Sequence, residues 1–155
     1  MKIIYFLLPY LLFMLPFVCK AQIVTSSYNA KTKILSIDIN NNTDRRMLLF
    51  NSLIGNPPPY SEGIFLALCD NNKESIYTVV VDFVPKGDLK RKRVIIIPAK
   101  SKAVFEINIQ PYMDNLRKSD SASIIKYLHY KICVRYAFDP ELKSRNIEID
   151  KTVFF

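Results

Sequence analysis

The sequence predicts an all-β protein, a single domain built as an antiparallel β-sandwich, and three observations carry that prediction. Short runs of period-two alternation recur along the chain, giving each run one apolar face and one wet face. Clusters rich in Asn, Asp, Pro and Lys punctuate these runs at fairly even spacing. Helix-like stretches are too few to supply the crossovers that a parallel α/β sheet requires.

Residues 33–40 give the clearest alternation, with Leu35, Ile37 and Ile39 separated by Ser36 and Asp38. Residues 40–44 read as a turn, because their short polar side chains bond nearby backbone. A strand follows at 46–50. Pro57, Pro58 and Pro59 cannot donate ladder hydrogen bonds and hold an extended path, so a crossover loop is expected there. Strands at 64–69 and 75–84 flank a turn at 70–73, and Pro85 to Asp88 supply strong punctuation. An apolar run at 94–97, a turn at 98–101 and an alternating strand at 103–109 come next, with Phe105, Ile107 and Ile109 inward. Residues 111–123 are less regular and suit a short helix or ordered loop. In the long strand at 127–138, Tyr130, Ile132, Val134 and Tyr136 share a face. The last strand, 146–154, turns Ile147, Ile149 and Val153 inward. Eight or nine strands of unequal length, with one excursion, favour an immunoglobulin-like sandwich over a closed barrel.

Residues 1–21 carry the three-part pattern of a cleaved secretory signal peptide. Lys2 is followed by an apolar stretch at 3–18, and Cys19 and Ala21 are small residues at −3 and −1 before Gln22. A spanning helix needs about 20 apolar residues, more than this stretch offers, and Pro9 and Pro16 interrupt it. A lipobox at Cys19 fits poorly after Pro16, Phe17 and Val18. The expected mature domain is therefore residues 22–155, periplasmic or secreted, with membrane contact at most peripheral. Cleavage removes Lys2 and Lys20, so the net charge falls from +8 to +6. That balance suits an acidic protein partner or plain solubility, and export argues against nucleic acid.

Cys69 and Cys133 remain after cleavage. In an oxidising compartment they form either one disulfide or two free thiols, and no Cys-x-x-Cys suggests a redox or zinc site. No constellation names a reaction. His129, the single histidine, reads as a strand residue rather than a catalytic base, and Asp82, Glu106 and Asp114 are scattered carboxylates. No calcium loop, other metal site or cofactor motif is present. The most distinctive surface feature is the basic run Lys90, Arg91, Lys92 and Arg93. It either steers an acidic partner or keeps an edge soluble beside the apolar residues 94–97. Tyr60 and Tyr112, in loops, are candidate contact residues because aromatic rings concentrate in interface hot spots. Asn41-Asn42-Thr43 matches the N-glycosylation acceptor pattern.

The order of elements from Ile34 to Tyr136 resembles small immunoglobulin-like accessory domains of secreted bacterial proteins. The likeness is carried by the alternating strand, the Asn-x-Thr-Asp turn, Leu-Leu-Phe-Asn, the proline loop, Phe-Leu-Ala-Leu and the late Ile-Pro-Ala-Lys-Ser turn. Ala99 and Lys100 stand where that turn commonly has glycine. The Lys-Ala-Gln signal end resembles Bacteroidota signal peptides, and Asp120-Ser121-Ala122 resembles the O-glycosylation acceptor of that phylum, with Ser121 as the modified residue. The resemblance implies a fold and transfers no functional residues. The expected function is an exported non-catalytic protein-binding module, such as an immunity protein or inhibitor of an exported toxin or enzyme. The alternative is a structural or accessory subunit of an envelope assembly, joined through an edge strand or through insertion of residues 152–155 into a neighbour.

Overall fold

The computed structural model describes residues 23–52, 62–88, 90–117 and 125–155; residues 1–21, expected to be a signal peptide, lie outside them. The chain is all-β, with antiparallel sheets in a sandwich-like arrangement. Its elements are β1 (Val24–Asn29), β2 (Ile34–Asn41), β3 (Met47–Phe50), β4 (Gly63–Cys69), β5 (Ser75–Val81), β6 (Val94–Ile97), β7 (Ser101–Asn108), α1 (Gln110–Arg117), β8 (Tyr127–Phe138) and β9 (Arg145–Phe154). One sheet has the order β1-β2-β7, and the other six strands form the second. The sequence gives little sign of β1, in which only Val24 is fully buried. It also runs β5 on to residue 84, whereas the strand ends at Val81.

The second sheet is organised by β8. Along one edge β8 pairs with β4 through residues 127–133 and with β3 through residues 135–138. Along the other edge it pairs with β9 through residues 127–136. Beyond β4 lies β5, and beyond β3 lies β6. The strands β4 and β3 thus lie end to end in one broken rank, and β5 and β6 form a second broken rank outside it.

Between the sheets, Leu35, Ile37 and Ile39 of β2 and Phe105 and Ile107 of β7 meet Tyr130, Ile132, Val134 and Tyr136 of β8 in one core. Full burial of such a side chain stabilises by about 1.5–3 kcal/mol. Helix α1 starts where the Asn108 side-chain oxygen accepts the Gln110 N–H at 3.0 Å, with Pro111 tolerated in its first turn. Tyr112, Met113 and Leu116 pack on the core.

Polar side chains brace the places where the chain changes sheet. Asn41 is fully buried and its amide nitrogen donates to the carbonyls of Arg45, Ile97 and Pro98 at 2.7, 3.1 and 2.8 Å. It ties the β2–β3 turn to the β6–β7 turn. That burial removes it as a glycosylation acceptor, which corrects the sequence match. Where the two ranks break, Asn51 imitates a strand: its amide donates to the Phe83 carbonyl at 2.8 Å and accepts the Phe83 N–H at 3.2 Å. Phe83 is thereby planted in the core against Phe105, with ring centroids 5.3 Å apart. Beside it, Arg135 of β8 reaches Glu62 at 2.6 Å, and the Ser52 hydroxyl also bonds Glu62.

The C-terminal residues, offered by the sequence as a segment for insertion into a neighbour, pair within their own fold. Thr152, Val153 and Phe154 pair with β8, the Phe155 N–H donates to the Lys126 carbonyl at 3.0 Å, and the Phe155 ring meets Tyr28 edge-on at 5.7 Å.

Two predictions follow from these braces. Asn41→Ala leaves buried carbonyls unpaired and is expected to lower unfolding stability by about 1–3 kcal/mol, whereas the exposed Asn42→Ala stays within about 0.5 kcal/mol; denaturant titration compares them. Burial pushes the Tyr28 phenol up to about 12, so the folded state holds that proton more tightly than the unfolded chain, whose phenol titrates near about 10. The associated stability is complete below that value and is lost as pH rises through about 12. Tyr28→Phe should flatten the decline of the urea midpoint across this alkaline window.

Candidate functional site

The strands β5 and β6 run in the same direction, and between them residues 82–93 leave the sheet. Three anchors explain the departure. The Asp82 side chain, 1% exposed, pairs with Arg91 at 3.4 Å. Phe83 is held by Asn51. The Lys86 N–H donates to the Val104 carbonyl at 2.9 Å, carrying the excursion across to β7 in the other sheet. Exposed ion pairs join Lys86 to Glu106 and Lys92 to Asp88, both at 2.9 Å. Lys90, Arg91, Lys92 and Arg93 all lie on this excursion, exposed to solvent.

Beside the excursion, the edges of β6 and β7 enclose a groove of about 630 Å³. Val94, Ile95, Ile96 and Ile97 of β6 line it together with Lys102, Ala103 and Val104 of β7, and Lys86, Asp88 and Lys92 of the excursion complete the lining. Val94 and Ile96 are 39% and 57% exposed, although they belong to a strand.

Hydrogen-bond parity shows which backbone groups face the groove. The Asn51 N–H donates to the Arg93 carbonyl at 2.9 Å, so residues 51 and 93 form a bonded pair. Antiparallel alternation then turns Ile95 and Ile97 toward β3 and turns the N–H and C=O of Val94 and Ile96 to the open edge. The same reasoning from Ile109 N–H to Lys33 carbonyl, 2.8 Å, turns Lys102, Val104 and Glu106 of β7 outward. On β7 the Val104 carbonyl is already taken by Lys86.

The remaining candidates lie elsewhere. Tyr112 is on α1, half-buried, its ring 6.4 Å from that of Tyr77 and away from the groove lining. Its phenol is pushed up by burial and by the neighbouring Tyr77. Tyr60 and Ser121 lie outside the described residues. The three scattered carboxylates have separate partners: Asp82 with Arg91, Glu106 with Lys86, and Asp114 with Gln110 at 2.8 Å. Among the described residues no cluster of three or more His, Cys, Asp or Glu side chains could hold a metal ion.

Cys69 and Cys133 are free thiols, which resolves the alternatives left by the sequence against a bridge. Cys69 is opposite Tyr127 and Cys133 is opposite Gly63. The intervening ladder separates them by roughly 20 Å, far beyond the Cα spacing of about 4–7 Å that a disulfide spans.

His129 sits on the outer face of the second sheet. Its Nδ1 is 2.9 Å from the Thr152 hydroxyl and its Nε2 is 3.4 Å from Asp150. A hydroxyl and a carboxylate on the two imidazole nitrogens invite comparison with acyl-transfer chemistry. Here all three side chains rise from a flat sheet face, where the backbone N–H groups lie in the sheet plane and point at neighbouring strands. They cannot converge on an oxyanion above that face. Cys133 is on the same face as His129 but four residues along, about 13 Å away, so no Cys–His pair forms. Lys131 and Glu148 close the patch with an ion pair of 2.8 Å.

No protein-family model matches the chain, and no curated protein matches it in sequence. A solved structure of a protein from Archaeoglobus fulgidus aligns over 86% of this chain and 94% of that one, at 6% identity and a TM-score of 0.33. That likeness is too low to carry fold or function across. The basic run is plain in the sequence, whereas the groove depends on which edges face each other, and no local pattern encodes that.

Burial, and then the Glu148 carboxylate, hold the Cys133 thiol above its ordinary range, so less thiolate is present at any given pH. Alkylation with iodoacetamide at about pH 8 should be slower than for free cysteine and should accelerate as pH climbs further. Mass spectrometry of the mature chain, alkylated after unfolding without reductant, should count two free thiols; a single intramolecular bridge would contradict the register.

Proposed function

We propose that the protein is an exported, non-catalytic protein-binding module with an immunoglobulin-like sandwich, acting as an immunity protein or inhibitor of an exported toxin or enzyme. Export rests on the signal-like residues 1–21. The observation that carries the binding reading is the β6–β7 groove. Outward-turned backbone groups of Val94 and Ile96, without a partner among the described residues, and exposed apolar side chains lie there beside Lys86, Lys92 and Lys102. Such an edge offers directional hydrogen bonds and apolar contact, while the basic run accelerates encounter with an acidic surface. The mechanism is steric: a stiff sandwich covers the partner's working surface and performs no chemistry.

A structural or accessory subunit of an envelope assembly is the second reading, and β9 favours it. The Phe155 N–H to Lys126 carbonyl bond fixes the parity of β9. Residues 146, 148, 150, 152 and 154 therefore turn their backbone groups away from β8 along a ten-residue strand.

The test uses a triple charge reversal, Lys90→Glu with Lys92→Glu and Arg93→Glu, which spares the Arg91–Asp82 pair. A partner recovered from envelope extract with the mature chain should bind the variant at least about tenfold more weakly at low salt, and the difference should shrink as salt screens the charges. Circular dichroism verifies that the variant is folded. Equal affinity at low salt would reject the groove and its basic rim as the contact surface.

A further inference from the structure

Resting on the reading that this face binds protein, we infer that the β6–β7 groove takes its partner as an added strand against β6, an extended segment in which apolar side chains alternate with carboxylates.

The edge geometry selects an extended chain. Val94 and Ile96 each present one N–H and one C=O to the groove, spaced by two residues, or roughly 7 Å. That is the repeat at which an incoming strand offers complementary groups. A helix satisfies its own backbone and would leave them unmet. On the opposite wall the ladder is interrupted, because the Lys86 N–H already occupies the Val104 carbonyl at 2.9 Å. The addition therefore extends the second sheet beyond β6.

The side-chain preference follows from what faces each side of the added strand. Alternate residues of an added strand turn toward the core side, where Ala103 and the buried Ile95 and Ile97 are among the lining residues and accept small or branched apolar groups. The intervening residues lie at the rim, near Lys86, Lys92 and Lys102. Asp88 is the one acid lining the groove, and it is already bonded to Lys92 at 2.9 Å. Lys86 and Lys102 pair with Glu106 and Asp38 at 2.9 and 3.0 Å, but these pairs are exposed and hold little energy, so an incoming carboxylate can share them.

Self-pairing through β6 is opposed by the same charges. Antiparallel contact between two copies would bring residues 90–93 of one alongside residues 98–102 of the other, where Lys100 and Lys102 stand. Like charges placed opposite one another on neighbouring strands repel.

The experiment measures fluorescence anisotropy of short labelled peptides with blocked ends against the mature chain. Three sequences are compared: alternating Val and Glu, the same sequence with every backbone amide methylated, and alternating Val and Lys. The Val/Glu peptide should bind. Methylation should weaken it at least about tenfold by deleting the amide donors, and the Val/Lys peptide should not bind. Ile96→Pro, which removes one outward N–H on an edge strand, should weaken Val/Glu binding to a similar degree. If Ile96→Pro does not fold, the methylated peptide decides the matter on the unaltered protein. Equal binding of methylated and unmethylated Val/Glu peptides would overturn strand addition while leaving a charge-driven protein site intact. Failure of every peptide would also overturn strand addition, and the triple charge reversal judges the broader reading separately. Binding to vesicles of phosphatidylglycerol with no peptide binding would overturn both readings.

Discussion

The ladder on both sides of β8 is the constraint from which the rest of the second sheet follows. Its residues alternate from Tyr127 to Tyr136, burying Leu128, Tyr130, Ile132, Val134, Tyr136 and Phe138 on one face, and Ala137 is buried on the other. The strands β3 and β6 have only four residues each, too few to hold a position alone. They keep their places because β8 continues past the end of β4 and gives β3 a template, which in turn supports β6. Where neither β4 nor β3 contacts β8, the gap is filled by side chains: the Asn51 amide substitutes for a missing ladder rung, and Phe83 plugs the core.

The same break that weakens the sheet creates its most reactive-looking surface. An uninterrupted outer rank would bury no excursion and place no cluster of cations beside a free edge. Here the excursion ties the two sheets together at Lys86 and Val104 and leaves β6 short and open. A short strand ringed by lysines is also how natural sheets discourage indiscriminate pairing. Under the proposed strand addition, protection and selectivity would come from one arrangement, in which the cations repel most strands and admit one of opposite charge.

The sequence made most of the fold legible because burial follows alternation. In β2, β7 and β8 the residues expected to face inward are the buried ones. The strand β1 escaped notice because Ser26 and Ser27 interrupt any apolar rhythm, and it is held by pairing with β2. The end of β5 was misplaced for a different reason. Phe83 and Val84 extend an apolar, β-prone run, yet Phe83 is bonded to an asparagine side chain 32 residues away. A long-range bond of that kind leaves no local trace. The basic run was visible at once, while the groove beside it depends on hydrogen-bond parity and on two edges meeting. Cysteine spacing likewise carried no distance information until the β4–β8 register fixed it.

The paired interruptions have a bearing on how this architecture can vary. Because the outer rank parts between β5 and β6, the connection between these two strands can lengthen between its Lys86 and Arg91 anchors without displacing any rung downstream. Doubling such a connection adds only about 0.6 kcal/mol of closure entropy. The scaffold is thus a natural acceptor for a grafted loop at that point, while β8 keeps the frame in register.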